Sequence, residues 1–270
     1  MKSTCKVAKN VAEKNIKFMP KKEKHSLGIF YGFRRVGNSL SIVETSFGNE
    51  NNTLTFGSDE NLKRYLSNLK VTKRLFIDEY NESYANHFNV GPLVPLVENV
   101  EIVELSNIKK PISSSNILPL FKSLKKCNQF KLEGGRLVDG KLSILLEEMN
   151  FCFSLRLCGD CNLEIDNECL RIISSKSTPL NQTLQIYVPD LPSSITLSAL
   201  ITFLQTTHFS QNASISLSRV YGSRHDLIIA FSPLIQLEDS DATIYDFKAI
   251  INVFENNIRL NICNLEAPSN

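Results

Sequence analysis

The sequence has no long hydrophobic run and no large excess of charge. No apolar stretch approaches the roughly 20 residues that cross a bilayer, and residues 1–30 lack the continuous apolar core of a secretory leader. We therefore expect an intracellular protein, cytoplasmic or nuclear, with no membrane partner. The 30 Lys and Arg residues stand against 28 Asp and Glu residues, which leaves a net charge of +2. This excess is too small to drive binding to a phosphate backbone, so nucleic acid is not expected as a partner.

Residues and motifs that support catalysis are also scarce. The chain has only four histidines, all in tail-like, loop-like or turn-like sequence where a surface position is expected: His25, His87, His208 and His225. No serine lies in a nucleophile elbow. Gly134-Gly135 and the pair Gly28 and Gly32 lack the signature of a phosphate loop and predict turns. The sequence predicts no catalytic residue, and a small hydrolase or transferase with an unrecognised site is the alternative.

The seven cysteines form an odd number, which favours a reducing compartment. Four of them crowd into 18 residues: Cys152, Cys158, Cys161 and Cys169. Cys158 and Cys161 have the two-residue gap of zinc ligands, so a zinc site or a redox pair stays open. Because the later gap is seven residues and no histidine is near, we expect buried thiols and no cofactor. Cys127 and Cys263 occupy positions where a small apolar side chain would serve equally well.

Apolar residues recur with helical spacing at five places along the chain. Positions i, i+3, i+4 and i+7 are apolar in residues 62–69, 117–124, 142–149, 197–204 and 247–254. This spacing puts four apolar side chains on one face of a helix. Four strand-like runs begin six residues after such a stretch, at Leu75, Phe130, Leu155 and Leu260. The sequence therefore predicts a repeat of one helix and one strand.

The strand positions of the repeat are evenly spaced. The equivalent positions Leu75, Val103, Phe130, Leu155, Leu184 and Ile215 are 28, 27, 25, 29 and 31 residues apart, and Leu260 follows after 45. Leucine-rich repeats have periods of about 20 to 29 residues. Since each connection contains a helix, the strands should be parallel. We expect an α/β leucine-rich-repeat-like solenoid, a horseshoe with short parallel strands on its concave face and helices on its convex face.

The ends of the chain depart from this repeat. Strand-like runs at 39–45 and 53–56 flank turn residues and predict a β-hairpin that caps the array. An apolar run at 226–231 predicts an additional strand before the last helix, and 257–263 predicts the last strand. The expected organisation has four parts: a flexible basic tail (1–25), a hairpin cap (26–57), the array (58–265) and a short tail (266–270).

The helix at Ile195-Thr196-Leu197-Ser198-Ala199-Leu200-Ile201-Thr202-Phe203-Leu204 resembles one in the leucine-rich-repeat-like F-box-associated regions of nematode F-box proteins. Arg219, Gly222 and Arg224, followed by the apolar residues 227–231, match the Arg- and Gly-containing turn and closing strand of that family. The resemblance covers roughly residues 55–265. It implies a non-enzymatic substrate receptor or adaptor of ubiquitin-dependent turnover, with ubiquitin-ligase components among its protein partners. No F-box opening is visible in residues 1–50, and the chain has no Trp.

Residues beside the apolar strand positions should point away from the helices, because successive side chains of a strand alternate between two faces. Mixed charge with aromatic residues among it is typical of protein-binding surfaces. The predicted binding face for a protein partner consists of Phe76, Asp78, Glu104, Lys131, Glu133, Arg156, Gln185, Tyr187, Ser216 and Ser218.

Overall fold

The computed structural model describes residues 22–35, 38–47, 50–56, 59–79, 91–109, 111–134, 141–150, 154–159, 161, 163–237, 247–253 and 256–266. The strands of the described chain are β1 (Lys22–Arg35), β2 (Asn38–Phe47), β3 (Glu50–Phe56), β4 (Leu69–Glu79), β5 (Ile102–Ile108), β6 (Gln129–Gly134), β7 (Ser154–Cys158), β8 (Thr183–Val188), β9 (Phe209–Tyr221), β10 (Ile235–Leu237), β11 (Phe247–Val253) and β12 (Asn256–Glu266). The helices are α1 (Asp59–Leu66), α2 (Ser114–Ser123), α3 (Leu142–Glu148), α4 (Asn167–Lys176), α5 (Leu197–Thr206) and α6 (Arg224–Phe231), with a 3-10 helix, η1 (Gly91–Leu96).

All these strands belong to one open, mostly parallel sheet with the order β10-β11-β12-β9-β8-β7-β6-β5-β4-β1-β2-β3. Neighbours from β1 through β4 to β9 and on to β12 pair in parallel. The pairs at both ends, β1 with β2, β2 with β3, β12 with β11 and β11 with β10, are antiparallel. The prediction of a mixed α/β chain with parallel strands linked through helices is confirmed.

The helices form one layer against one face of the sheet. From β4 to β9, each strand lies beside the next strand of the chain, so the direction of progression never reverses. Because parallel crossovers are right-handed, a constant direction puts all of their helices on the same side. Each helix accordingly contacts its predecessor, from α1 and η1 through to α6. The opposite face of the sheet carries none of these helices.

Local caps fix where the helices begin, and one lysine joins two of them. The side chains of Asp166, Thr196 and Ser223 accept hydrogen bonds from the first turns of α4, α5 and α6. These bonds satisfy N–H groups that a helix start leaves unpaired. At the end of α4, Lys176 Nζ donates to the carbonyls of Leu146, Glu147 and Met149 and so covers the exposed carbonyl end of α3.

The core lies between the two layers, and the sheet register aligns one buried side chain from each parallel strand. One residue from each parallel strand pairs with its neighbour to make an inner row: Leu27, Leu75, Val103, Phe130, Leu155, Ile186, Ile215 and Leu260. All are buried. The prediction was wrong at one strand, because Ile186 rather than Leu184 pairs with Leu155 and Ile215. Leu184 is two places earlier and only half-buried.

The N-terminal end has one more strand than the sequence predicts. The hairpin of β2 and β3 is present, but β1 lies between it and the repeat and pairs in parallel with β4. This strand begins at Lys22, inside the segment expected to be a tail, while residues 1–21 lie outside the described residues. Gly28 and Gly32 lie inside β1, so the prediction of turns there was wrong. Glycine breaks the apolar alternation, which hides the strand in the sequence.

In the C-terminal unit, a predicted helix is a strand and a predicted strand is a helix. Residues 247–254, expected as a helix, contain β11, in which Phe247, Ala249 and Ile251 are buried at alternate positions. The same apolar residues fit both periods, and antiparallel pairing with β12 decides for the strand. The apolar run expected as a strand is helix α6. Ser223 caps this helix, because its hydroxyl accepts a hydrogen bond from the Asp226 N–H at 3.1 Å. The apolar run by itself does not indicate this cap.

Smaller differences concern element ends. The connection between β4 and β5 contains the 3-10 helix η1 rather than an α-helix, and Pro95 within it lacks the N–H that an α-helix would use. The first helix ends at Leu66 rather than at Leu69, and Leu69 begins β4.

Candidate functional site

The candidate site is the sheet face opposite the helices, which we call the open face. The residue after each member of the inner row points to this side, and the register places these residues next to one another across the sheet. We call this series the open-face row: Gly28, Phe76, Glu104, Lys131, Arg156, Tyr187, Ser216, Asn261 and, on β11, Lys248. Arg156 and Lys248 are exposed, and most of the others are half-buried by their neighbours.

A second row lies two residues earlier on the same strands. It consists of Arg74, Ile102, Gln129, Ser154, Gln185, Ser214 and Arg259. The Ser154 hydroxyl donates to Gln185 Oε1 at 3.1 Å, and Asn261 Nδ2 lies 3.5 Å from Ser216 Oγ in the first row. These bonds between strands join polar side chains on the face opposite the described helices.

Charges at the β4 and β5 end of the open face are neutralised within the face. Arg74 Nη2 lies 3.0 Å from Glu104 Oε2, and the Arg74 guanidinium is 5.8 Å from the centre of the Phe76 ring. One strand further on, Lys131 Nζ lies 2.7 Å from Glu133 Oε2. Both ion pairs are partly exposed, so they contribute little to stability and leave their side chains able to exchange partners.

Arg156 and Tyr187 form the centre of the open face. The Arg156 guanidinium carbon lies 5.0 Å from the centre of the Tyr187 ring on the adjacent strand, which is cation–π geometry. The Arg156 side chain is exposed. An arginine held flat on an aromatic ring is preorganised to form a forked pair with a carboxylate.

Eight of the ten predicted residues are partly or fully exposed, and Asp78 and Ser216 are buried. Asp78 is only 9% exposed, and its carboxylate accepts from Asn107 Nδ2 at 3.0 Å. Ser216 is buried on the open face beside Asn261. The Ser218 hydroxyl donates to the Leu191 carbonyl and so belongs to the turn after β8.

Three cations of the open face were not predicted as site residues. Arg74 and Arg259 lie two residues before Phe76 and Asn261, so the alternation of the strands could have identified them. Lys248 could not be found this way, because its strand was expected to be a helix.

The cysteines do not assemble a reactive centre in the described part of the chain. Cys161 donates its thiol to the Gly134 carbonyl at 2.7 Å, and burial raises the pKa values of Cys158 and Cys169. A raised pKa disfavours the thiolate that metal binding and redox chemistry need. No group of three potential metal ligands occurs among the described residues, which exclude Cys152. The expectation for Cys263 was wrong, because this side chain is exposed on the open face.

A second concave region lies where the strands of the repeat end. A cavity of about 490 Å³ is lined by Glu164, Asp190, Leu191, Pro192, Ser193, Ser194, Ser218, Arg219, Tyr221 and Asn264. Arg219 donates to the Tyr221 hydroxyl at 3.3 Å inside it. The lining contains neither His nor Cys, and His208 and His225 are exposed elsewhere. This cavity can offer hydrogen bonds and charge, and its lining supplies the carboxylates of Glu164 and Asp190 but no imidazole as a potential base.

Within the described ranges, no helix combines the length and the apolarity that crossing a bilayer demands. The chain was compared with protein-family models, with curated proteins and with solved structures, and no significant match was found in any of the three comparisons.

Proposed function

We propose that this chain is a non-enzymatic protein-interaction module whose open face binds a protein partner. The single observation that carries the proposal is the Arg156–Tyr187 pair at the centre of a sheet face that none of the described helices covers. Parallel sheets are normally covered on both faces, so a bare and polar face is unusual. Arginine and tyrosine are the residues most enriched, with tryptophan, at the energetic centres of protein interfaces.

We further propose that the repeat curves as a leucine-rich-repeat-like horseshoe with the open face on its concave side. Helices are about 10 Å wide and strands lie about 4.8 Å apart, so stacking one helix per strand favours curvature towards the sheet. The loops also stack in register, since Ile165 bridges in parallel to Ser193 and Thr196 to Tyr221. The β2–β3 hairpin would then be the cap of the array.

Solution scattering tests this shape. A curved array of this length should give an elongated profile with a radius of gyration above the value of about 18 Å expected for a compact 270-residue domain. A compact profile would contradict the horseshoe.

The resemblance of the helix at residues 195–204 supports a narrower proposal, namely a substrate receptor or adaptor of ubiquitin-dependent turnover. Affinity purification from the native cells tests both levels, using the wild-type chain, the double variant Arg156→Ala/Tyr187→Ala and the control Arg171→Ala on the exposed side of α4. We expect ubiquitin-ligase subunits to be recovered with the wild type and the control and to be lost with the double variant. Recovery of the same proteins with all three would refute the open face as the binding site.

A second candidate, a hydrolase or transferase, is favoured by the cavity at the carboxyl ends of the strands. Open α/β sheets commonly bind their substrates at that edge. This candidate predicts turnover of an ester or phosphate substrate that falls at least 100-fold when Arg219 is replaced by Ala. Absence of turnover across such substrates would leave the interaction module as the function.

A further inference from the structure

The open face is divided unequally in charge. On β4 and β5, Arg74 is matched by Glu104, and the nearby Asp78 is buried. On the rest of this part of the sheet, from β6 through β7, β8, β9 and β12 to β11 in spatial order, the open face carries four cations and one carboxylate. We call this region the basic half: Lys131, Arg156, Arg259 and Lys248, with Glu133.

Neutral polar groups separate the cations of the basic half. Gln185, Ser214 and Asn261 lie between Arg156 and the two cations of β12 and β11, in rows fixed by the register. No further carboxylate lies on the open face of β7, β8, β9, β11 or β12 within residues 154–158, 183–188, 209–218, 247–253 and 256–263. Between Arg156 and Lys248, an approaching anion therefore meets hydrogen-bond donors and no carboxylate of the described open face.

The spacing of these cations fits an extended chain. Arg156 and Lys248 are four strands apart in the same row, a separation of about 19 Å at about 4.8 Å per strand. In an extended peptide, side chains on one side repeat every 6.8 Å or so, and three such repeats span about 20 Å. A segment of about seven residues with acidic side chains at alternate positions can reach both cations at once.

We propose that the basic half of the open face binds an extended acidic segment of the protein partner, with one carboxylate docked on Arg156 beside Tyr187. The proposal rests on the proposed function, because it specifies the chemistry of the partner at the same face. A continuous phosphate backbone fits less well. Glu133 lies inside the basic half, and Glu164 and Asp190 lie at the adjoining carboxyl end, where regularly spaced phosphates would meet them.

Fluorescence anisotropy with defined probes tests the proposal on the full chain. The probes are labelled ten-residue peptides of alternating Glu and Ser, of alternating Gln and Ser and of alternating Lys and Ser, together with a ten-nucleotide thymidine strand. We expect the Glu peptide to bind at low salt and at least tenfold more tightly than each of the other three. Its affinity should fall as salt rises, because the attraction is between exposed charges.

Paired variants locate the binding. Arg156→Gln should weaken binding of the Glu peptide roughly tenfold, as expected for loss of a charge-assisted hydrogen bond, and Lys248→Gln should weaken it about threefold. Arg171→Gln, which removes an exposed charge from α4, should leave the affinity unchanged. Unchanged thermal unfolding of each variant shows that folding is intact.

The possible results separate the two proposals. Equal affinity of wild type and Arg156→Gln for the Glu peptide overturns the acidic-segment proposal, as does tighter binding of the thymidine strand. If the Glu peptide does not bind but the Arg156→Ala/Tyr187→Ala variant still loses its captured partner, the open face binds protein through contacts other than an acidic segment. If the double variant also keeps its partner, the proposed function fails as well.

Discussion

The two faces of the sheet are formed by residues that are neighbours along each strand, yet one face is apolar and buried and the other is mostly polar and partly exposed. Phe130 on the inner row is 1% exposed and packs against Phe121, with ring centres 4.9 Å apart. Lys131 on the open face is partly exposed and forms a direct ion pair with Glu133. Inner-row side chains determine whether the chain folds, because their burial supplies the hydrophobic free energy. The open face is therefore able to vary in sequence and to carry a binding function.

The first prediction tests the comparison of the two faces where the largest effect on stability is expected. Phe130→Ala should lower the free energy of unfolding by about 3–5 kcal/mol, because it removes a buried ring and leaves a cavity. Lys131→Ala, the next residue, should change it by less than about 0.5 kcal/mol. Urea denaturation measures both. Similar losses for the two variants would contradict the assignment of one face to the core and the other to solvent.

The second prediction concerns the ends of adjacent strands, where backbone packs on backbone. Gly134 has φ +76°, and a Cβ added there would lie 2.4 Å from the Ile108 carbonyl oxygen, which cannot move away freely. We expect Gly134→Ala to cost about 2–3 kcal/mol. Gly159 has φ +75° but its nearest contact would be 3.3 Å, so Gly159→Ala should cost about 1 kcal/mol. Urea denaturation of the two variants shows which one loses more free energy of unfolding. An equal loss would exclude the clash with Ile108 as the cause.

The third prediction uses cysteines on the two sides of the sheet. Burial raises the pKa of Cys169 above its ordinary value near 9, so the folded state keeps this thiol neutral. The unfolded chain ionises first as pH rises, and stability is lost above about pH 9. At pH 10 the loss should be about 1.4 kcal/mol.

Urea denaturation at pH 8, 9 and 10 should show a loss that is larger by about this amount in the wild type than in Cys169→Ala, because Cys158, whose pKa burial also raises, remains in both. The exposed thiol of Cys263 should react with a thiol reagent in the folded protein, whereas Cys169 should react only on unfolding. Parallel pH profiles of the two proteins would contradict the assignment.

The smallest expected effect lies within the open face. A double-mutant cycle with Arg156→Gln and Tyr187→Leu should give a coupling of about 0.5 kcal/mol in the free energy of unfolding, the value for a partly exposed cation–π pair. The same cycle on binding of the acidic peptide should give a larger coupling if the ring orients the guanidinium. Zero coupling in both would mean that the two side chains act independently.

The regular part of the fold was predictable because local and tertiary preferences agree there. Leu75, Val103, Phe130 and Leu155 were identified in the correct register from spacing alone. The next strand failed by two residues, since Leu184 and Ile186 have the same parity and only pairing with β7 distinguishes them. Arg156 and Tyr187 were recognised as facing outward, but their contact depends on that pairing.

At the two ends, tertiary pairing overrides the local pattern. The glycines of β1 conceal a strand that exists because β4 offers it a parallel partner. Residues 247–253 suit either a helix or a strand, and the edge left open by β12 selects the strand. Neither pairing can be inferred from the segment itself, because the preference of a segment for strand depends on the strand that lies beside it.

The amino-acid sequence by itself determined that strands alternate with amphipathic helices through the middle of the chain, since periodicity of apolar residues is a local property. Only the tertiary structure decided which residues stand side by side on the open face and which segments close the sheet at its ends. The reason is that the register of the parallel strands is set by pairing between segments some 25 to 48 residues apart, and the free energy of that pairing belongs to both partners.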